Sequence, residues 1–183
     1  AAIPHLDLVF GTHGIYRLPE LVRRASRERQ LDVALSAGFP ETPPRRWQTG
    51  AAQTLVTIMQ GCDNYCSFCV VPYVRGREHS RPPGEIVAEV QDFLAAGGKE
   101  VTLLGQNVNS YGRGLDEPVT FPQLLQRLAE LPGLARLRFA TSHPKDLADE
   151  LIGLFTELDP LCEHLHLPAQ SGSNRILSAM NRS

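Results

Sequence analysis

The sequence predicts an α/β chain: a partial parallel (β/α) barrel, preceded by the last βα unit of another α/β domain. Three observations predict it. From Thr54 onward the pattern strand, loop, helix recurs four times. Residues 101–104, VTLL, form a near-continuous apolar strand, as expected where helices cover both faces of a parallel sheet. Residues 31–52 carry prolines and glycines with no sustained hydrophobic period, and they separate the repeat from a single βα unit at the start.

Residues 6–10, LDLVF, read as a strand, and residues 11–14 as a glycine-rich turn. Residues 18–29 read as a helix, because Leu18, Leu21, Val22 and Ala25 fall at i, i+3, i+4 and i+7 on one face. Gly38, Pro40, Pro43, Pro44 and Gly50 then give linker chemistry, so the expected division is 1–30, a linker at 31–53, and 54–183. Residues 55–59 are strand-like and run into a cysteine-rich loop. Pro82 and Pro83 open a helix, where proline costs least because first-turn amides lack intrahelical partners. Ile86, Val87, Val90 and Leu94 give its buried face, and Gly97 and Gly98 end it. Phe121, Leu124, Leu125, Leu128 and Leu131 keep helical spacing before a strand at 134–140. Leu147, Leu151, Phe155 and Leu158 mark the next helix, a fourth strand is expected at 164–167, and a last helix begins near Asn174 and runs out at Ser183. The chain is expected to begin inside one domain and stop inside the next.

Composition bounds the function. Apolar residues at 42% and charged residues at 21% exclude a disordered, collagen-like or disulfide-scaffold chain. No apolar run approaches the roughly 18 residues of a membrane span. The opening AAIPHLDLVFGTHG lacks a basic segment followed by a long apolar one, so a cytoplasmic protein is expected, with no membrane partner. A net charge of -2 excludes the strongly basic footprint of a dedicated nucleic-acid-binding domain, while leaving room for a local patch. Three of the four cysteines lie within residues 62–69, which points to a metal or redox cofactor in a reducing compartment.

That cluster is the strongest signal: GCDNYCSFC, residues 61–69, places Cys62, Cys66 and Cys69 in a C-x3-C-x2-C loop directly after a strand. Three thiolates from one loop suit three irons of a 4Fe-4S cluster and leave the fourth iron open for a substrate or cosubstrate. The alternative is a zinc-stabilised nucleic-acid-binding module closed by His79 or Cys162, although structural zinc more often uses paired C-x2-C knuckles. The loop's place at the carboxyl end of a strand, where α/β barrels keep their active sites, favours the cluster.

The three-cysteine loop with an aromatic before its last cysteine resembles the radical S-adenosylmethionine enzymes. The wider context, GCDNYCSFCVVPYVRGREHSRP at 61–82, EVTLLGQNVNSYG at 100–112, TSHP at 141–144 and HLHLPAQSGSNRIL at 164–177, resembles the MiaB-type tRNA methylthiotransferases, and the N-terminal FGTHGIYRLPEL matches as well. The resemblance implies a barrel of the radical S-adenosylmethionine type, with residues 1–30 the tail of an N-terminal methylthiotransferase domain. It implies reductive cleavage of S-adenosylmethionine to a 5'-deoxyadenosyl radical and methylthiolation of C2 of an isopentenylated adenosine beside the tRNA anticodon. Cys62, Cys66 and Cys69 would hold the 4Fe-4S cluster, and Phe68 would line the adenine pocket. The partners implied are tRNA and an electron donor such as flavodoxin or ferredoxin, and the protein a monomer. The QNVNSYG block at 106–112 stands where the sister group that modifies a ribosomal protein has an aspartate, which favours tRNA; another tRNA base or a ribosomal protein is the alternative within the class. The family also needs a second 4Fe-4S cluster on an N-terminal domain and usually ends in a small RNA-binding barrel. Neither lies in these residues, so the chain is expected to be a fragment unable to complete sulfur insertion alone.

Weaker features keep two readings each. Gln106 and Asn107 follow the second barrel strand and suit either the cosubstrate's methionine end or a capped turn. Gln170 and Ser171 precede the last helix and suit either a cradle for ribose or carboxylate or a plain Ser173 N-cap. Arg75, Arg77, His79 and Arg81 suit tRNA phosphates or a solvated loop, and Tyr65 and Tyr73 suit base stacking or packing. Cys162 reads as a small buried hydrophobe, and His164 and His166 as one face of a strand. Ser142 and His143 lack the elbow and oriented acid of a hydrolase.

Overall fold

The computed structural model describes residues 3, 5–35, 47 and 50–182. The N-terminal unit is a βαβ: strand β1 (Leu8–Phe10), a 3-10 turn (Thr12–Arg17), helix α1 (Leu18–Ala25) and strand β2 (Gln30–Asp32), with β1 and β2 parallel in the register Val9↔Leu31. Leu21 is the buried residue of α1, and Arg17 ties the turn to β2 through Asp32 at 2.6 Å. This corrects two expectations. The helix stops at Ala25 rather than Arg29, and β2 overlaps the start of the expected linker, since three residues are too short a run to show a period-2 pattern. The linker signals Gly38, Pro40, Pro43 and Pro44 lie outside the described residues.

The second part begins with β3 (Gln53–Thr57) and β4 (Met59–Gln60), then α2 (Val71–Arg75), β5 (His79–Ser80), α3 (Pro83–Ala95) and β6 (Glu100–Leu104). It continues with a 3-10 turn (Val108–Ser110), α4 (Phe121–Ala129), β7 (Arg136–Phe139), α5 (Asp149–Glu157) and α6 (Asn174–Ala179). Strands β3, β6 and β7 form a parallel sheet in that order, registered Thr54↔Val101↔Leu137. Burial along β6 alternates: Val101 and Leu103 are fully buried, while Glu100, Thr102 and Leu104 are half-buried. One sheet face is therefore sealed and the other partly open, a correction to the expectation of two fully covered faces. Ile86, Val90 and Phe93 of α3, the leucines of α4, and Leu151 and Leu154 of α5 belong to one core with the strand side chains, where Phe121 meets Phe139 edge-on at 5.1 Å. Leu103→Ala should cost about 2–5 kcal/mol, read as the shift of a urea midpoint at constant slope.

Helix ends follow local chemistry. Gly97, at φ +97, closes α3 with Gly98 N–H on Phe93 O and Gly97 N–H on Leu94 O, the Schellman pattern. Thr120 and Gln123 make a reciprocal capping box on α4. The expected fourth strand at 164–167 does not form. The chain touches β7 through one parallel bridge, Leu137↔Leu161, and His164 N–H then closes onto Cys162 O at 2.7 Å, a three-residue turn that breaks the ladder. His164 and His166 are exposed, not set on a strand face. The last helix ends at Ala179, because Asn181 takes the left-handed conformation (φ +51) and Arg182 N–H returns to Leu177 O.

Candidate iron-sulfur site

The cysteine loop leaves the carboxyl end of β3 and is pinched at its base by the antiparallel pairs Met59↔Ser80 and Gln60↔His79. Inside it, Gly61 sits at φ +74 with its Cα so close to the returning strand that a Cβ would lie 2.0 Å from Arg77 O. Cys62 N–H donates to Gly76 O at 3.3 Å. Asp63 accepts both Nε (2.7 Å) and Nη2 (3.0 Å) of Arg77, and also Glu78 N–H (3.2 Å). Tyr65 adopts φ +47, and Cys69 N–H closes a turn on Cys66 O at 2.9 Å.

Cys62 and Cys66 are buried, Cys69 is half-buried, and all are free thiols. Burial pushes the Cys62 thiol above its ordinary value; the Asn64 backbone opposes this, and charge on Glu78, Cys66 and Cys69 adds to it, so the thiols share one electrostatic neighbourhood. Among the described residues no group of three or more His, Cys, Asp or Glu is arranged to hold a metal ion. Cys162 is no fourth ligand to the loop: it is bonded to Leu137, level with Val101 and Thr54, so roughly four strand residues at about 3.3 Å each separate that level from the loop.

Residues that sequence reasoning missed hold the loop from outside. Ser67 N–H donates to Met180 O (2.9 Å), and Asn181 Nδ2 donates to Tyr65 O (2.9 Å) and Asn64 O (3.4 Å). Arg182, 8% exposed, points Nη1 at Cys66 Sγ (3.7 Å) and Nη2 at Pro168 O. The asparagine that ends α6 was the readable signal, since Asn is the common non-glycine residue at a left-handed helix end.

The ends of β6 and β7 add a polar rim. Gln106 is half-buried with Oε1 unpartnered; Asn107, 1% exposed, donates Nδ2 to Asp146 Oδ2 at 2.6 Å while its Oδ1 has no partner. The Asn109 side chain, Ser142 Oγ, His143 Nε2 and Glu78 Oε1 are likewise buried without partners. Val108 N–H on Thr141 O (3.0 Å) joins the two post-strand segments. Burial first, then Arg182 and Lys145, push the His143 imidazole below its ordinary range. Burial holds the Glu78 carboxyl above its ordinary value, with Ser110 and Arg113 opposing and Asp63 and Asp146 adding. The folded state thus binds this proton more tightly than the unfolded state, and its contribution to stability is lost as pH rises from 4.5 through the folded value. Glu78→Gln should flatten that fall, visible as a smaller change in urea midpoint between acid and neutral pH in the metal-free chain.

The other expected residues divide. Phe68 is exposed beside the cysteines. Gln170 is exposed at φ +67, and Ser171 Oγ accepts Ser173 N–H (3.1 Å), so the hydroxyl that ties this turn belongs to Ser171, while Ser173 makes no side-chain cap. Arg81 is corrected: it is ion-paired to Glu89 at 2.7 Å and bonded to Thr57 O, which takes it out of any phosphate patch. Arg77 is engaged by Asp63, whereas Arg75 and His79 are exposed. Tyr65 and Tyr73 pack edge-on at 6.2 Å and remain exposed.

Residues 56–183 match the family model described as the radical SAM superfamily, and the chain belongs to that superfamily. The curated relatives it resembles include the tRNA-2-methylthio-N(6)-dimethylallyladenosine synthase of Geobacter sulfurreducens, 54% identical over 98% of this chain and 41% of that protein. The enzyme of the same name from Geotalea uraniireducens is 50% identical over 100% of this chain and 42% of its own length. The chain thus spans about two fifths of these relatives, at 41% and 42%. Among solved structures, the radical S-adenosylmethionine methyltransferase TsrM from Kitasatospora setae superposes with a TM-score of 0.57 at 18% identity, over 73% of this chain and 25% of that one, a likeness of fold. No helix among the described residues is long and apolar enough to cross a membrane.

Proposed function

We propose that this chain carries the radical S-adenosylmethionine part of a tRNA methylthiotransferase acting at C2 of N6-isopentenyladenosine beside the anticodon. One observation carries the reading: three thiols on a single loop at the carboxyl ends of parallel strands, next to a rim of buried polar atoms that lack partners. Three thiolates from one loop suit three irons of a 4Fe-4S cluster and leave the fourth iron open for the cosubstrate. Membership of the radical SAM superfamily speaks against the zinc module. When bound, the cluster supplies the reducing electron for cleavage of S-adenosylmethionine.

The chain's own residues take the other roles. Cys62, Cys66 and Cys69 ligate the cluster, and Phe68 lies against the adenine. Gln106 Oε1 and Asn107 Oδ1 are acceptors suited to the ammonium of the cosubstrate's methionine end, and Gln170 and Ser171 border its ribose or carboxylate. Residues 54–183 form the core, a part of a (β/α) barrel, joined through 31–53 to the tail of an N-terminal domain that holds a second 4Fe-4S cluster. The partners are tRNA and a flavodoxin or ferredoxin, and the protein works as a monomer in the cytoplasm. Support for the tRNA substrate comes from the relatives' names at about half identity.

The test is anaerobic incubation of the full-length protein with reductant, S-adenosylmethionine and tRNA bearing isopentenyladenosine, followed by nucleoside mass spectrometry. The expected product is the 2-methylthio nucleoside. Turnover only on an unmodified tRNA base or on a ribosomal protein would overturn the substrate assignment and keep the class.

A further inference from the structure

A helix leaves its last carbonyls without intrahelical donors, and one as short as α2 has few other carbonyls. The donors for α2 come from far away in sequence. Thr12 Oγ1 donates to Val74 O at 3.0 Å, and His13 Nε2 lies 3.4 Å from Arg75 O. A carbonyl only accepts, so the His13 tautomer in this contact carries its proton on Nε2. Both partners precede their acceptors by 62 residues and belong to the N-terminal βαβ unit. His13 is 8% exposed, while Arg75, whose carbonyl it meets, is exposed. The next carbonyl along, Gly76 O, accepts the backbone N–H of Cys62. A continuous path of hydrogen-bonded backbone therefore runs from the N-terminal unit, through the end of α2, to the first cysteine of the loop.

A cavity of about 360 Å³ lies beside this path, lined among others by His13, Leu35, Arg75, Gly76 and Glu78. The two units therefore do not pack flush here, and directed hydrogen bonds from Thr12 and His13 help to make the joint, with Leu35 beside Gly76. Such a joint transmits position, because losing one donor leaves a carbonyl without the partner that fixes its direction.

We propose that Thr12 and His13 are positioning residues that couple the N-terminal unit to the cysteine loop, so that the placement of Cys62 depends on a domain other than its own. The contact path stands on geometry; its meaning for catalysis rests on the loop holding the cluster, as proposed above.

Amide hydrogen exchange in the full chain without iron tests the coupling independently of cluster loading. Thr12→Val with His13→Phe should speed exchange at Cys62, Tyr73 and Val74 by about tenfold, the effect of losing roughly one net hydrogen bond, while Thr12→Ser keeps the wild-type rates. Acceleration confined to the N-terminal amides of Gly11 and Gln30, no acceleration at all, or equal effects of Thr12→Ser and Thr12→Val would overturn it. If the double variant unfolds, Thr12→Val alone is read in the same way, with a smaller rise expected. A chain that shows the coupling yet takes up no iron would refute the cluster assignment and leave the coupling standing.

Discussion

Alanine at Cys62, Cys66 or Cys69 should reduce iron uptake of the reconstituted chain from about four irons to a trace, whereas Cys162→Ala should load like the parent. The contrast is positional. The first three thiols ride on one loop past the carboxyl end of β3, and Cys62 feels the charge of the other two. Cys162 is hydrogen-bonded to Leu137 near the start of β7, an edge strand, away from the carboxyl ends that carry the loop. Removing any of the three leaves an iron without its thiolate, and an open site with two protein ligands does not retain a cluster against buffer thiols. Inductively coupled plasma analysis of iron after gel filtration reads the result. Full iron in any one of the three variants would contradict the ligand assignment.

Gly61→Ala should be strongly damaging to the cysteine loop. Its φ of +74 disfavours an L side chain by about 1–2 kcal/mol, and the Cβ would lie 2.0 Å from Arg77 O and 2.7 Å from Gly76 O, both backbone atoms. Backbone cannot rotate away as a side chain does, so the hairpin base must open, and overpacking of this kind adds about 1–3 kcal/mol. Gly114→Ala is the matched control: φ is +77, yet nothing lies within 4 Å, so only the conformational part of the cost should appear. Urea midpoints of the two variants separate clash from strain. Gly61→Ala should also lose iron uptake in whatever fraction stays folded, because Gly76 O, the acceptor of Cys62 N–H, is displaced by the same overlap.

Much of this architecture was legible from residue types. The i, i+3, i+4 pattern of Phe121, Leu124, Leu125 and Leu128 fixed α4, and the glycine pair at 97–98 ended α3, because these signals act within one turn of helix. The cysteine spacing likewise marked a loop, the one that the structure pinches at its base with β4 and β5. What escaped was set by distant partners. β2 is three residues long and exists because β1 lies beside it. The hairpin of β4 and β5 closes across eighteen intervening residues, with Asp63 and Arg77 fastening it, and no local period announces such a pairing. The segment at 164–167 has strand-like alternation, but the turn at Cys162–His164 interrupts the ladder after a single bridge, and Ser142 N–H on His166 O (3.2 Å) ties it back to the segment after β7. Arg81 read as a free cation because its acceptors, Glu89 and Thr57 O, lie on other elements. Arg182 became part of the site only once the end of α6 folded back onto Cys66.

The most direct measurement is anaerobic iron-sulfide reconstitution of this chain, with iron and sulfide analysis and an EPR spectrum of the reduced protein recorded with and without S-adenosylmethionine. The account predicts about four irons and four sulfides per chain, and a spectrum that changes on adding S-adenosylmethionine, as an open iron requires. Stoichiometric zinc with no iron uptake, or a cluster spectrum indifferent to the cosubstrate, would contradict it.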